Sequence, residues 1–228
     1  MYIIPLQAIA LYLTSEYLHR SLSSVSKILY VVLMLPGTIV HEFSHAIAAL
    51  IMGARITDFS IIPSGNALGY IEHTEPKIPF IGNVAIAIAP LIGCPAMLLL
   101  ISIFSGVHFN SPPASLDILT EIRLLFEETL SFITGLDYYN WKTYVFLYFA
   151  LTLGAGAAPS KTDIFSMLPG LIIIVAAIYS LNYFGINILY LNNAFSLLSA
   201  ALTVAIIPLL AVTGIVTMLK LIAIVKSQ

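Results

Sequence analysis

The chain has 228 residues, of which 60% are hydrophobic and 9% charged, with a net charge of −2. A soluble domain carries about 25% charged residues, so this composition cannot cover itself with a water-compatible surface, and it excludes both a soluble enzyme and a disordered chain. Nine scattered Lys and Arg residues make no nucleic-acid patch, and a single cysteine, Cys94, excludes an internal disulfide and a thiolate metal cluster.

A spanning helix needs about 20 apolar residues, so the length leaves room for roughly five to seven spans and no large soluble domain. The first expected span is 2–18, which contains Glu16. No cationic stretch precedes it and no small-residue cleavage site follows, which argues against a signal peptide. The second is 26–53, ending at Gly53, a usual stop signal just past a helix. Residues 54–78 then read as a β-hairpin, two stretches of β-formers split by Pro63, Ser64, Gly65 and Asn66.

The third span is 79–105, with Pro90, Gly93 and Pro95 inside it. Such residues are tolerated in membranes where neighbours re-satisfy the backbone. In the 106–140 connection, Leu116, Leu119, Ile122, Phe126, Leu130 and Ile133 recur at spacings of three and four. That pattern predicts an amphipathic helix on the membrane surface or over the bundle. Tyr138, Tyr139, Trp141 and Tyr144 form an aromatic belt. The remaining spans are 141–158, ending in a Gly/Ala run, then 164–184 and 195–219, with the PSKTD segment of 159–163 between the fourth and fifth.

The expected fold is therefore an all-α polytopic membrane protein with about six transmembrane helices, a small membrane-associated β-hairpin and one amphipathic surface helix. It forms a single domain over 1–228, with a functional core at about 26–185. With six spans, Arg55, Lys77, Lys161, Lys220 and Lys226 share one side, and Arg20, Lys27, Arg123 and Lys142 the other. The basic C-terminus assigns the first side to the cytoplasm.

Within the second span, His41-Glu42-Phe43-Ser44-His45 matches H-E-x-x-H. Residues four apart lie on one helix face, so both imidazoles can reach one Zn2+ at about 2.0–2.1 Å. Zinc brings the acidity of its water near neutrality, and the adjacent glutamate is placed to take the proton. From this composition the motif arises by chance about 0.005 times per chain. An intramembrane charged residue also costs about 2.5–3.5 kcal/mol on insertion scales, so three polar residues in one turn point to a metal site. Counted along the helix, the site lies roughly 10 Å inside its C-terminal end, nearer the side that carries the hairpin.

A hydrolytic zinc site needs a third protein ligand. Span parity returns Asp163 to the motif's side, whereas Asp117, Glu121, Glu127, Glu128 and Asp137 fall opposite. Asp163 also reads as an ordinary N-cap of the fifth helix. His73, Glu72 and Asp58 of the hairpin are the competing ligands.

These residues resemble the site-2 protease family of intramembrane zinc metalloproteases: a membrane helix with HExxH, a hairpin, a Pro/Gly-containing span and a proline-preceded aspartate. The resemblance covers about 26–185 and implies zinc held by His41, His45 and Asp163, with Glu42 as the catalytic base. The family's second motif, Asn-x-x-Pro then Leu-Asp-Gly, is met only by Pro159 and Asp163. Gly156 stands at the Asn position, Thr162 at the Leu and Ile164 at the Gly, which marks a divergent branch without a PDZ-like or CBS-like module. An oxyanion then needs another donor, for which Asn66, Asn83 and His73 are the candidates.

The implied activity is zinc-dependent cleavage of transmembrane helices of other membrane proteins in the bilayer. The 55–73 hairpin either offers an edge strand to the unwound substrate or plugs the mouth of the bundle. The rival readings are a membrane zinc hydrolase acting on another amide, a non-catalytic relative that binds membrane proteins, and an ion transporter. The last lacks the expected internal repeats.

Overall fold

The computed structural model describes residues 4–24, 26–61, 69–108, 118–166, 169, 180 and 189–226. It contains α1 (Ile4–Ser23), α2 (Lys27–Ile51), β1 (Ile56–Ser60), β2 (Tyr70–His73), α3 (Pro79–Ser105), α4 (Ile118–Gly135) and α5 (Trp141–Ala157). A helical segment over 161–166, α6, and the long α7 (Leu189–Lys226) follow.

Three helices are long and apolar enough to cross a membrane: Tyr30–Ile51 within α2, Pro79–Ser105, and Ser196–Lys220 within α7. The expected count of six is thus not supported among the described residues. Helix α5 has 17 residues, or about 26 Å at 1.5 Å per residue, short of a hydrocarbon core of about 30 Å. Helix α1 ends in Glu16, His19 and Arg20, too polar for a full apolar window. The expected span at 164–184 lies mostly outside the described residues.

The bundle centres on α2, α3 and α5, which pack on one another, while α7 lies against α1, α3 and α5. Leu11, Leu18, Met34, Leu98, Phe146, Leu153, Leu202 and Leu209 fill the core, and Cys94 is a buried packing residue in it. Large apolar side chains also cover the outside, among them Ile28, Val32, Ile51, Ile103 and Phe104. In water such a surface would be a liability, but on a spanning helix it is the face that meets acyl chains. Helix α4 forms where the periodicity predicts a helix, but it turns Leu125 and Phe132 inward, whereas Leu119, Ile122, Phe126 and Leu130 of the expected apolar face are exposed.

The end of α2 and the hairpin set the site's mouth. Gly53, at φ +76°, takes the left-handed conformation that closes a helix cheaply. Its N–H bonds Leu50 O at 3.0 Å and the Ala54 N–H reaches Ala49 O at 2.9 Å, the paired bonds of a Schellman stop. Strands β1 and β2 pair antiparallel, with Phe59 opposite Ile71 and Ser60 opposite Tyr70. Phe59 meets Phe43 of α2 edge to face at 5.4 Å, which holds the sheet over the motif helix. The turn residues 62–68, Asn66 included, lie outside the described residues.

Candidate metal centre

His41 and His45 occupy successive turns of α2, and their Nε2 atoms approach to 3.0 Å. Asp163, at the start of α6, brings Oδ1 to 3.4 Å from His45 Nε2 and Oδ2 to 3.9 Å from His41 Nε2. One ligand atom from each of the three residues lies within 4.8 Å of the others, a group able to hold a metal ion. For bonds of about 2.0–2.1 Å in a tetrahedron, ligand atoms stand about 3.3 Å apart, so the residues fit a zinc-sized cation after sub-ångström adjustment.

Both imidazoles are held by their other nitrogen. His41 Nδ1 donates to Gly156 O at 2.5 Å, and His45 Nδ1 donates to Ile86 O at 2.8 Å. A carbonyl only accepts, so each neutral ring carries its proton on Nδ1 and presents the Nε2 lone pair inward. Two lone pairs this close, beside a carboxylate, repel unless a positive charge stands among them. Backbone carbonyls behind metal-binding histidines are the usual means of setting tautomer and ring angle.

Helix geometry leaves each of these carbonyls free. Ile86 O would ordinarily accept from the N–H four residues on, but that residue is Pro90, which has none. Gly93, one turn further along α3, then lets the helices close up, because a Cβ there would overlap the Ser44 side chain of α2. Gly156 lies in the last turn of α5, where carbonyls lack intrahelical partners. It also presses on α2, since a Cβ there would stand 2.5 Å from Gly37 O. The Gly/Ala run is therefore a backbone-to-backbone contact of the kind small residues permit in membranes.

Asp163 is not the N-cap of its helix; Ser160 is. The Ser160 N–H donates to Asp163 Oδ2 at 2.7 Å, and Ser160 Oγ accepts from the Asp163 N–H at 3.1 Å. This reciprocal pair is a capping box. It fixes the carboxylate at the third position of α6, where Oδ2 caps the helix beside His41 and Oδ1 faces His45.

A cavity of about 370 Å³ surrounds the cluster and is lined by Glu42, Tyr70, His73 and Asn83 along with the three residues above. Glu42 is buried, at 7% exposure. Gly69 crosses directly over it, so that a Cβ on Gly69 would stand 2.9 Å from Glu42 Cγ and 3.2 Å from its Oε1. His73 and Asn83 thus border the cavity outside the ligand group. His73 Nδ1 instead meets the Thr74 carbonyl at 2.9 Å. Asp58 is engaged within the hairpin by the Tyr70 hydroxyl at 2.7 Å and the Phe59 N–H at 2.8 Å. That hydrogen bond to a carboxylate raises the Tyr70 pKa. Glu72 is exposed opposite Asp58. Neither acid joins the cluster.

No protein-family model, no curated protein and no solved structure matches the chain.

Proposed function

We propose that the chain is a membrane-embedded zinc metalloprotease that hydrolyses peptide bonds within transmembrane segments of other membrane proteins. The observation that carries this reading is the convergence of His41, His45 and Asp163 beside the buried Glu42, on a helix long and apolar enough to span the bilayer. Depth supports it as well. His45 lies six residues before the end of α2 at Ile51, about 9 Å at 1.5 Å per residue.

Zn2+ held by the three residues would supply Lewis acidity and bring water into the range where it ionises near neutrality. Glu42 then accepts a proton from the attacking water as the oxygen–carbon bond forms. It returns that proton to the amide nitrogen as the carbon–nitrogen bond breaks. Asn83 and His73, both on the cavity wall, are the candidates for holding the carbonyl oxygen. The edge of β2 away from β1, unpaired among the described residues, can receive an unwound segment by backbone pairing. The hairpin side faces the cytoplasm in this reading.

The resemblance to site-2 proteases includes the departure at Gly156. A Cβ there would stand 2.5 Å from Gly37 O, so an Asn would force the two helices apart and disturb the carbonyl that holds His41.

Purified wild type and Glu42→Gln should be compared on a tagged transmembrane substrate and on a soluble peptide. The wild type should cut the transmembrane substrate. The variant should lose at least about 100-fold in rate, the usual scale for a general base, while keeping its zinc. Cleavage of the soluble peptide alone would favour a hydrolase of another amide, and no cleavage at all a binding protein.

A further inference from the structure

A second cavity, of about 670 Å³, opens on the other side of the reacting groups. His41, Glu42, Gly69, Ser160 and Thr162 border both compartments, so the two meet at the metal cluster. Each falls in the size range of ligand sites. A polypeptide crossing the cluster would run from one into the other.

The compartments offer different chemistry. On the hairpin side, β2 presents backbone groups, and pairing through backbone is tolerant of side-chain identity. The second compartment lies between α1, α2 and the end of α5, and its walls include Tyr12, Ser15, Glu16, His19, Tyr30 and Thr38. In a chain with 9% charged residues, this is a marked concentration of hydrogen-bonding side chains. Polar groups within a membrane protein are costly and turn towards interior cavities where they serve a purpose. An extended segment has given up its helical hydrogen bonds and needs partners for its amides. No strand borders this compartment among the described residues, so side chains must supply them. Glu16 is already paired with Arg20, whose Nε and Nη2 lie at 2.9 and 2.7 Å from the same carboxylate oxygen. Lys161 also borders the cleft, and Ser15 and Thr38 keep acceptor lone pairs after donating to Ala155 O and Met34 O, so the cleft offers hydroxyl acceptors and one ammonium donor rather than a bare negative charge.

We propose that the α1-side cleft holds the substrate segment on one side of the cut bond and selects neutral polar side chains there, of the Ser, Thr, Asn and Gln class. This rests on the proteolytic reading. It locates sequence selectivity in α1 and the start of α2, whereas the hairpin side contributes sequence-tolerant pairing.

The test uses the full chain in liposomes with a transmembrane substrate whose three residues on either side of the cut are changed singly to Leu or Asn. Wild type should favour Asn at least fivefold in kcat/KM on one side only. Ser15→Leu and the milder Tyr12→Phe should reduce that preference to within twofold, with zinc content unchanged. Ser15→Cys gives an independent readout, because the single native cysteine is buried. A charged thiol reagent should label it, and bound substrate should protect it. A wild type that cuts without side preference, or a preference that survives both variants, overturns the cleft assignment while leaving the protease standing. A wild type that cuts no transmembrane polypeptide overturns both.

Discussion

Pro90 is the residue through which the account is most sharply exposed. Replacing it with Ala restores an N–H four residues beyond Ile86 O, the carbonyl that holds His45 Nδ1 at 2.8 Å. The helix bond then competes for that carbonyl, and the His45 ring loses part of its orienting bond. Loss of such a partner costs 10–100-fold in metal affinity. A competing rather than deleted bond should fall at the low end, about tenfold, or about 1.4 kcal/mol. Stability of the metal-free protein should move the other way. Ala exceeds Pro by up to about 3 kcal/mol within a helix. Against that stands the loss of about two methylene groups of packing at a fully buried site, at about 0.8 kcal/mol each, leaving a net gain of about 1 kcal/mol. Zinc affinity by chelator competition and thermal unfolding of the metal-free protein read the two separately. Opposite signs are the signature. Unchanged zinc affinity, or a parallel fall in both, would refute the role given to the freed carbonyl.

Other outcomes follow from the same contacts. Gly156→Ala should force α5 off Gly37 O, costing about 1–3 kcal/mol in overpacking and lowering zinc affinity through His41, whereas Gly214→Ala, in open space on α7, should be neutral or stabilising by thermal unfolding. Ser160→Ala should cost about 1 kcal/mol as a lost cap by thermal unfolding and leave zinc content unchanged, because the Asp163 carboxylate accepts from the Ser160 backbone N–H and not from its hydroxyl. Asp58→Asn should leave zinc content unchanged, since that carboxylate serves Tyr70; loss of metal would return the hairpin to the ligand set. Gly69→Val should displace Glu42 and reduce turnover by at least about tenfold, a loss of part of the general-base term, with zinc retained by metal analysis.

Local signals carried much of this architecture. The apolar runs delimit α2 and α3, the Gly53 stop falls where the α2 helix ends, and the Pro-Ser-Gly-Asn break marks a hairpin whose strands pair. The spacing of His41 and His45 needs only the helical period to be seen. The span count was less legible, because α5 is mostly apolar beyond its Lys142-Thr143 start but has only 17 residues, a length the apolar run alone does not reveal. Ser160-x-x-Asp163 could have been read as a capping box before an apolar run, which would have freed Asp163 from the N-cap role. What no local pattern reveals is contact between elements. Pro90 reads as a kink until His45 is seen beside Ile86 O. The Gly/Ala run reads as a helix end until Gly156 is seen against Gly37.

The most direct measurement is zinc per chain in purified wild type, His45→Ala and Asp163→Ala, with folding checked by thermal unfolding. The account predicts about one zinc in the wild type and its loss in both variants. A folded wild type that binds no zinc, or an Asp163→Ala protein that keeps a full equivalent, would contradict it.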